Sequence, residues 1–232
     1  MNNCGIVFLG VFGFLFVFNT PGVAQTVSPS NNIPVIECLA TGQGDFFVIF
    51  LTGNGGYNNL EKTINDDLNS RNISVIVVNS KKYFWYEKSR AQMARDLETL
   101  IDRFNAKPAE KKTVLIGYSM GADILPFAFN SLADNYKRKI SDMIMIGPGQ
   151  KAVFKIRPWD FLFNEDKGTE ILPELYKIKS RISYIICDDS EYSICRQDIK
   201  GFADHDLLGG GHHFSRDYKP LSKLILKRLG LK

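Results

Sequence analysis

Gly117-Tyr118-Ser119-Met120-Gly121 sets a serine between two glycines. It stands where a short apolar run, Thr113 to Ile116, gives way to a helical pattern beginning at Ala122. That placement is a way to make a serine reactive. On a tight turn from strand to helix, the residues two before and two after the serine have no room for a side chain. The helix that follows brings unpaired N–H groups and the positive end of its dipole to the hydroxyl. A hydroxyl remains a weak nucleophile until a neighbouring base takes its proton. Three histidines are available, His205, His212 and His213. Gly209-Gly210-Gly211 gives His212 a flexible loop ahead of the last helix, so His212 is the expected base. His213 is its rival, and His205 reads as structural or solvated.

An imidazole in this role needs a carboxylate to fix its tautomer and stabilise its charged form. Cys187-Asp188-Asp189-Ser190-Glu191 follows an apolar run, Ile182 to Ile186, and supplies two. Asp189, further into the loop, is the expected acid, with Asp188 behind it. Two backbone N–H donors must then receive the developing oxyanion. Met120, next after the serine, is one. Asn54, in Thr52-Gly53-Asn54-Gly55, is the other. This loop is not G-x-x-x-x-G-K-[ST] and its glycines lack dinucleotide-binding spacing, so no nucleotide site is expected. Cysteine pairs with C-x-x-C spacing are absent from the sequence, and neither a metal nor a cofactor is expected. Asp123, one helical turn past Ser119, is placed to cap its helix or to face the pocket, where it could read a cationic substrate group.

The elements that must carry these residues alternate. Pro34 to Ala40 reads as a short edge strand. Phe46 to Leu51 is a continuous apolar run, the mark of a strand covered on both faces. Leu60 to Asn69 reads as a helix, Ile73 to Val78 as a second buried strand rich in β-branched residues, and Ser89 to Phe104 as a helix. Val114 to Ile116, Met143 to Ile146 and Ile182 to Ile186 are further buried strands. A short strand near Asp206 to Leu208 and a helix ending near Leu229 close the chain. Lys151 to Leu175 keeps neither period and holds Phe154, Trp159, Phe161 and Phe163, where a lid or pocket-lining insertion would sit. Lys81 to Tyr86 is a basic, aromatic loop, read first as rings packed on the sheet edge. Strands alternating with helices imply an α/β fold with a mostly parallel central sheet and helices on both faces. Ligands of such sheets bind at the carboxyl ends of the strands, where each motif above falls.

The chain has 232 residues, enough for one α/β domain with a sizeable core. With 44% apolar and 23% charged residues, it is neither disordered nor a polytopic membrane protein. A net charge of +4 would suit an anionic membrane surface but is too small and scattered to argue for nucleic acid. Ile6 to Phe18 is an uncharged apolar run too short to cross a bilayer, and Pro21-Gly22-Val23-Ala24 offers small residues for cleavage. The expected organisation is a signal peptide over 1–24, cleaved after Ala24, a linker and edge strand over 25–45, and a single domain over 46–232. Export permits a disulfide. Cys187 and Cys195 close a short loop, while Cys38 reads as a buried thiol.

Ile116-Gly117-Tyr118-Ser119-Met120-Gly121-Ala122-Asp123-Ile124-Leu125-Pro126-Phe127 resembles the nucleophile segment of the bacterial virulence proteins VirJ and AcvB. Leu51-Thr52-Gly53-Asn54-Gly55-Gly56-Tyr57 is similar to that family's S-G-D-G-G-W loop, and Gly210-Gly211-His212-His213-Phe214 to its histidine loop. Asn54 and Tyr57 stand where the family has Asp and Trp, and a backbone donor survives the first change. The resemblance implies a periplasmic α/β-hydrolase. For some members it implies hydrolysis of the aminoacyl ester of lysyl-phosphatidylglycerol; others are tied to type IV secretion of virulence factors.

The expected function is therefore an exported serine hydrolase that cleaves a carboxylic ester through an acyl-enzyme at Ser119. The best candidate ester is an aminoacylated phospholipid headgroup, reached by peripheral contact with the membrane. The rival expectation is a non-catalytic periplasmic binding or assembly factor that works with secretion-system proteins.

Overall fold

The computed structural model describes residues 33–42, 44–105, 111–156, 168–178 and 182–231. The expected signal peptide, the linker up to residue 32, and Trp159, Phe161 and Phe163 of the expected insertion lie outside these residues. The strands are β1 (Val35–Cys38), β2 (Phe46–Leu51), β3 (Val75–Val78), β4 (Lys112–Tyr118), β5 (Ile140–Ile146), β6 (Lys151–Ala152), β7 (Thr169–Glu170), β8 (Ser183–Cys187) and β9 (Asp204–Leu207). The helices are α1 (Asn59–Asn69), α2 (Ser80–Tyr83), α3 (Arg90–Asn105), α4 (Met120–Ser131), α5 (Asp134–Lys137), α6 (Leu172–Leu175) and α7 (Lys219–Arg228).

Among the described residues, seven strands form one sheet in the order β1-β3-β2-β4-β5-β8-β9. β1 runs antiparallel to β3, and the other pairings are parallel. The buried runs explain the sheet's interior. All of Val75–Val78 is buried, as is β2 from Phe47 onward, because helices cover both faces. Alternate residues of these strands feed two cores. Phe47, Ile49, Leu115 and Met145 pack on one face with the inner sides of α3 and α4. Val48, Phe50, Ile116 and Ile186 pack on the other with α1 and α7.

The two helices of that second face are tied by polar contacts as well. Asp67 on α1 accepts from Ser222 Oγ at 2.6 Å and from Lys219 Nζ at 3.0 Å, both on α7. Helix α1 starts with a capping box. Asn58 and Glu61 satisfy one another's backbone donors.

Some boundaries differ from the sequence reading. α4 begins at Met120, directly after the serine, because the tight turn is itself the helix start. β3 begins at Val75, since Ile73 belongs to the turn that closes α1: its N–H bonds to Leu68 O and its carbonyl accepts from Asn69. The Lys151–Leu175 region, read as irregular, contains the β6–β7 hairpin and α6. The Lys81–Tyr86 loop divides: Tyr83 and Phe84 are buried, whereas Trp85 and Tyr86 are 49% and 73% exposed.

Candidate active site

Ser119 sits between β4 and α4 with φ 52° and ψ −124°, a conformation that L-residues rarely adopt. The flanking glycines are sterically required. A Cβ on Gly121 would lie 2.2 Å from Leu51 O, and one on Gly117 would lie 2.6 Å from Ala122 N. The Ser119 N–H is anchored to Ile146 O at 2.9 Å, which fixes the turn against β5. The hydroxyl therefore projects from the carboxyl end of the sheet, partly exposed.

His212 Nε2 lies 2.8 Å from Ser119 Oγ, and His212 Nδ1 lies 2.7 Å from Asp188 Oδ2. The carboxylate against the histidine is thus Asp188, not Asp189, and this corrects the sequence reading. Asp188 directly follows β8 and turns inward, 2% exposed. Asp189 turns outward, and its Oδ1 and Oδ2 accept from the N–H groups of Gly211 and Gly210. It clamps the backbone of the histidine loop instead of touching the ring. Burial alone would raise the Asp188 carboxyl. The hydrogen bonds from His212, Ser190 Oγ and Ser190 N more than offset that and hold it below the usual carboxylate range.

His213 is held elsewhere. The Tyr118 hydroxyl lies 3.1 Å from His213 Nδ1 and donates to His212 O at 3.1 Å, while the Tyr118 ring stacks on the His212 ring. His205 lies on β9, paired with Ile185, at the far edge of the sheet. Sequence reasoning missed Gly147, the residue that makes room for the histidine and its acid. Its φ is +53°, and a Cβ there would lie 3.1 Å from Asp188 Oδ2 and 3.3 Å from His212 Nδ1. The signal was present as the Gly147-Pro148-Gly149 run after β5.

Asn54 lies in the loop after β2 and Met120 is the first residue of α4, both just past the carboxyl end of a strand. In the Asn54 loop the neighbouring donors are used internally. Gly56 N–H bonds Gly53 O, and Gly53 N–H is turned to Glu61 Oε1. Glu61 is fully buried and also accepts from Asn58 N–H at 2.9 Å. It is a second residue that sequence reasoning missed, legible as the Asn58-x-x-Glu61 capping pattern. Thr52 Oγ1 accepts from Ser80 N–H and fixes the base of the loop to α2.

The acid and histidine loops are stapled further. Cys187 and Cys195 form a disulfide across the loop that carries Asp188, and Arg196 donates to the carbonyls of Asp189 and Ser190. No free thiol remains among the described cysteines, so Cys38 is not the thiol the sequence suggests. After His213 the backbone makes a left-handed turn, with Phe214, Ser215 and Arg216 at φ 49°, 51° and 59°. Phe214 is buried in the α1–α7 core while the chain makes this turn.

Asp123 accepts from Gly149 N–H at 2.7 Å through Oδ1. Burial pushes its carboxyl up to about 7, with the Gly149 N–H and His212 opposing and Asp188 adding to the rise. Among the described residues no group of His, Cys, Asp and Glu could hold a metal ion, and no helix is long and apolar enough to cross a membrane.

The arrangement can pass a proton from Ser119 Oγ to His212 while Asp188 stabilises the resulting imidazolium.

The profile of the family described as bacterial virulence protein (VirJ) matches residues 45–232. No curated protein matches the sequence. Among solved structures, the chain is similar to a highly thermostable carboxyl esterase from Bacillus coagulans, with a TM-score of 0.63 and 13% identity over 89% of this chain and 97% of that one. It is similar to an α/β serine hydrolase homologue from Coxiella burnetii, with a TM-score of 0.60 and 16% identity over 92% and 99% of the two chains. Est1E from Butyrivibrio proteoclasticus gives 0.56 and 11% over 85% and 96%. These likenesses show the fold, that of the α/β-hydrolases.

Proposed function

This chain belongs to the VirJ family of bacterial virulence proteins, and from that premise we propose that it is an exported serine hydrolase. It cleaves a carboxylic ester, namely the aminoacyl ester of an aminoacylated phospholipid such as lysyl-phosphatidylglycerol. The observation that carries the reading is the continuous chain from Ser119 Oγ through His212 to Asp188, at 2.8 and 2.7 Å.

In this mechanism Ser119 Oγ attacks the ester carbonyl as His212 Nε2 takes its proton. Asp188 holds the imidazole in the tautomer with the proton on Nδ1 and stabilises its charged form. The tetrahedral oxyanion is held by the N–H groups of Asn54 and Met120. His212 returns the proton to the departing headgroup hydroxyl, which leaves an acyl-enzyme. Water then attacks with His212 as base, and the free amino acid departs with Ser119 restored.

Two features support the location and the lipid. The Cys187–Cys195 disulfide suits an oxidising compartment such as the periplasm. Exposed Trp85 and Tyr86 adjoin exposed Lys81 and Lys82 in the segment after β3, and such a basic aromatic rim suits peripheral contact with anionic lipid. The alternative, a binding or assembly factor that works with secretion-system proteins, has no need for a serine and histidine at hydrogen-bonding distance.

The test is fluorophosphonate labelling of residues 25–232, with Ser119→Ala and His212→Ala alongside. Labelling lost in both variants, followed by lysine release from lysyl-phosphatidylglycerol vesicles, is the expected result. A folded wild type that neither labels nor releases lysine would favour the binding factor.

A further inference from the structure

One carboxylate of the site has no part in this mechanism. Asp123 lies four residues past Ser119 on α4, and its N–H donates to Ser119 O at 2.9 Å. Side chains on a helix lean toward its N-terminus, so this carboxylate leans back toward the nucleophile. Its Oδ1 receives Gly149 N–H. No hydrogen bond or ion pair to Oδ2 is formed by the described residues, and the residue as a whole is partly exposed. Gly149 stands two residues beyond Gly147, the glycine against which Asp188 and His212 pack. Two residues of chain span at most about 7 Å, so Asp123 lies within reach of a substituent on an ester carbonyl held at Ser119.

Three carboxylates stand at this end of the sheet. In a chain of net charge +4, the carboxylates of Asp123, Asp188 and Asp189 converge on the serine end of the sheet. Both oxygens of Asp188 and both of Asp189 accept hydrogen bonds, so of the three only Asp123 keeps an oxygen without a partner among the described residues. Its raised carboxyl says that the protein leaves its negative charge under-compensated. A cation from outside would supply what is missing.

We propose that Asp123 is the specificity residue of this site, holding an ammonium group carried on the acyl part of the ester. The inference rests on the hydrolase reading above and goes beyond it, because it assigns acyl preference to one side chain. Both the α-ammonium and a side-chain ammonium of an aminoacyl group have this chemistry.

The experiment compares kcat/KM for esters of one alcohol with four acyl groups. Glycyl carries only the α-ammonium, Nα-acetyl-lysyl only the side-chain ammonium, lysyl both, and butyryl neither. Asp123→Asn keeps an oxygen to accept from Gly149 N–H and removes the charge. The expected result is a preference of the wild type for ammonium-bearing esters, with the cationic-to-neutral ratio falling on the order of ten- to a hundredfold in Asp123→Asn. Which of the two single-ammonium esters loses more identifies the ammonium. A ratio unchanged by the substitution, or an equal fall for all four esters, overturns the proposal, the latter marking Asp123 as only a prop for the Gly149 turn. Should Asp123→Asn not fold, wild-type inhibition by an α-aminoalkyl or ω-aminoalkyl boronic acid against its des-amino counterpart decides. Tighter binding of an amine supports the assignment, and equal inhibition overturns it. A wild type that labels with fluorophosphonate but shows no preference removes the role of Asp123 alone. One that takes no probe and cleaves no ester removes the hydrolase reading as well.

Discussion

Asp188 and Asp189 are neighbours in sequence with opposite orientations, which makes them a controlled comparison. Asp188→Asn retains the volume but lets the His212 tautomer reverse, so esterase kcat/KM should fall by roughly 10²- to 10⁴-fold. Asp189→Asn keeps an acceptor for Gly210 and Gly211 and should change it less than about tenfold. Equal losses would mean that both carboxylates reach the histidine. The same logic applies to the histidines: His212→Ala should abolish fluorophosphonate labelling and His213→Ala should leave it, since His213 is turned to the Tyr118 hydroxyl. At this scale the sequence was legible where sterics allow few choices. The two glycines around Ser119 are set by a turn that leaves no room for a side chain. The acid was misread by one residue because the last residue of β8 decides which aspartate faces inward. That boundary is fixed by pairing with β9, Cys187 opposite Leu207, and such pairing is not local.

At the scale of elements, the site is assembled from four strand ends, and two devices hold the loops in place. Gly147 is one. Gly147→Ala would force a side chain into a positive-φ position 3.1 Å from Asp188 Oδ2. We expect kcat to fall at least tenfold, with about 1 kcal/mol lost from stability in urea unfolding. Unchanged kinetics would show that the pair can shift without consequence. The disulfide is the other. Cys195→Ser opens a loop with a sequence separation of 8, for which chain entropy alone predicts about 2.5 kcal/mol of destabilisation. Because the bond begins at the residue before Asp188, kcat should fall as well, and a loss in stability without a loss in kcat would separate the two roles. Most elements were readable from apolar runs, since β2, β3 and β8 are buried on both faces. The β6–β7 hairpin and α6 were not, because two-residue strands and a single helical turn carry no period.

For the molecule as a whole, the buried charge of Asp123 is a cost to the fold. Its carboxyl is raised from the ordinary aspartate value to about 7. Between those two pH values the folded chain binds a proton that the unfolded chain has already released. Stability from this group is therefore fully present below the unfolded value and is lost as pH rises toward 7. Asp123→Asn should leave acid stability nearly unchanged and gain on the wild type as pH rises from about 4 to 8, by on the order of 1 kcal/mol or more. Parallel stability curves for the two proteins would contradict this. His212 and Asp188 face the same carboxyl with opposite effects, so the curve should be recorded in Asp188→Asn too. No reading of the sequence could have placed this cost, because it comes from the burial of Asp123 by segments distant in the chain.

The left-handed turn after His213 bears on how the molecule fails when heated. Three consecutive residues other than glycine in that conformation carry roughly 1–2 kcal/mol each of unfavourable energy. Burial of Phe214 and the Asp189 clamp on the glycines offset it. The segment next to the base is thus nearer to opening than the sheet that supports it. Heating should uncouple His212 from Ser119 while the sheet is still intact, so catalysis would switch off, reversibly, at a temperature below the cooperative melt. Amides of residues 210–216 should exchange with solvent ahead of those in β4 and β5.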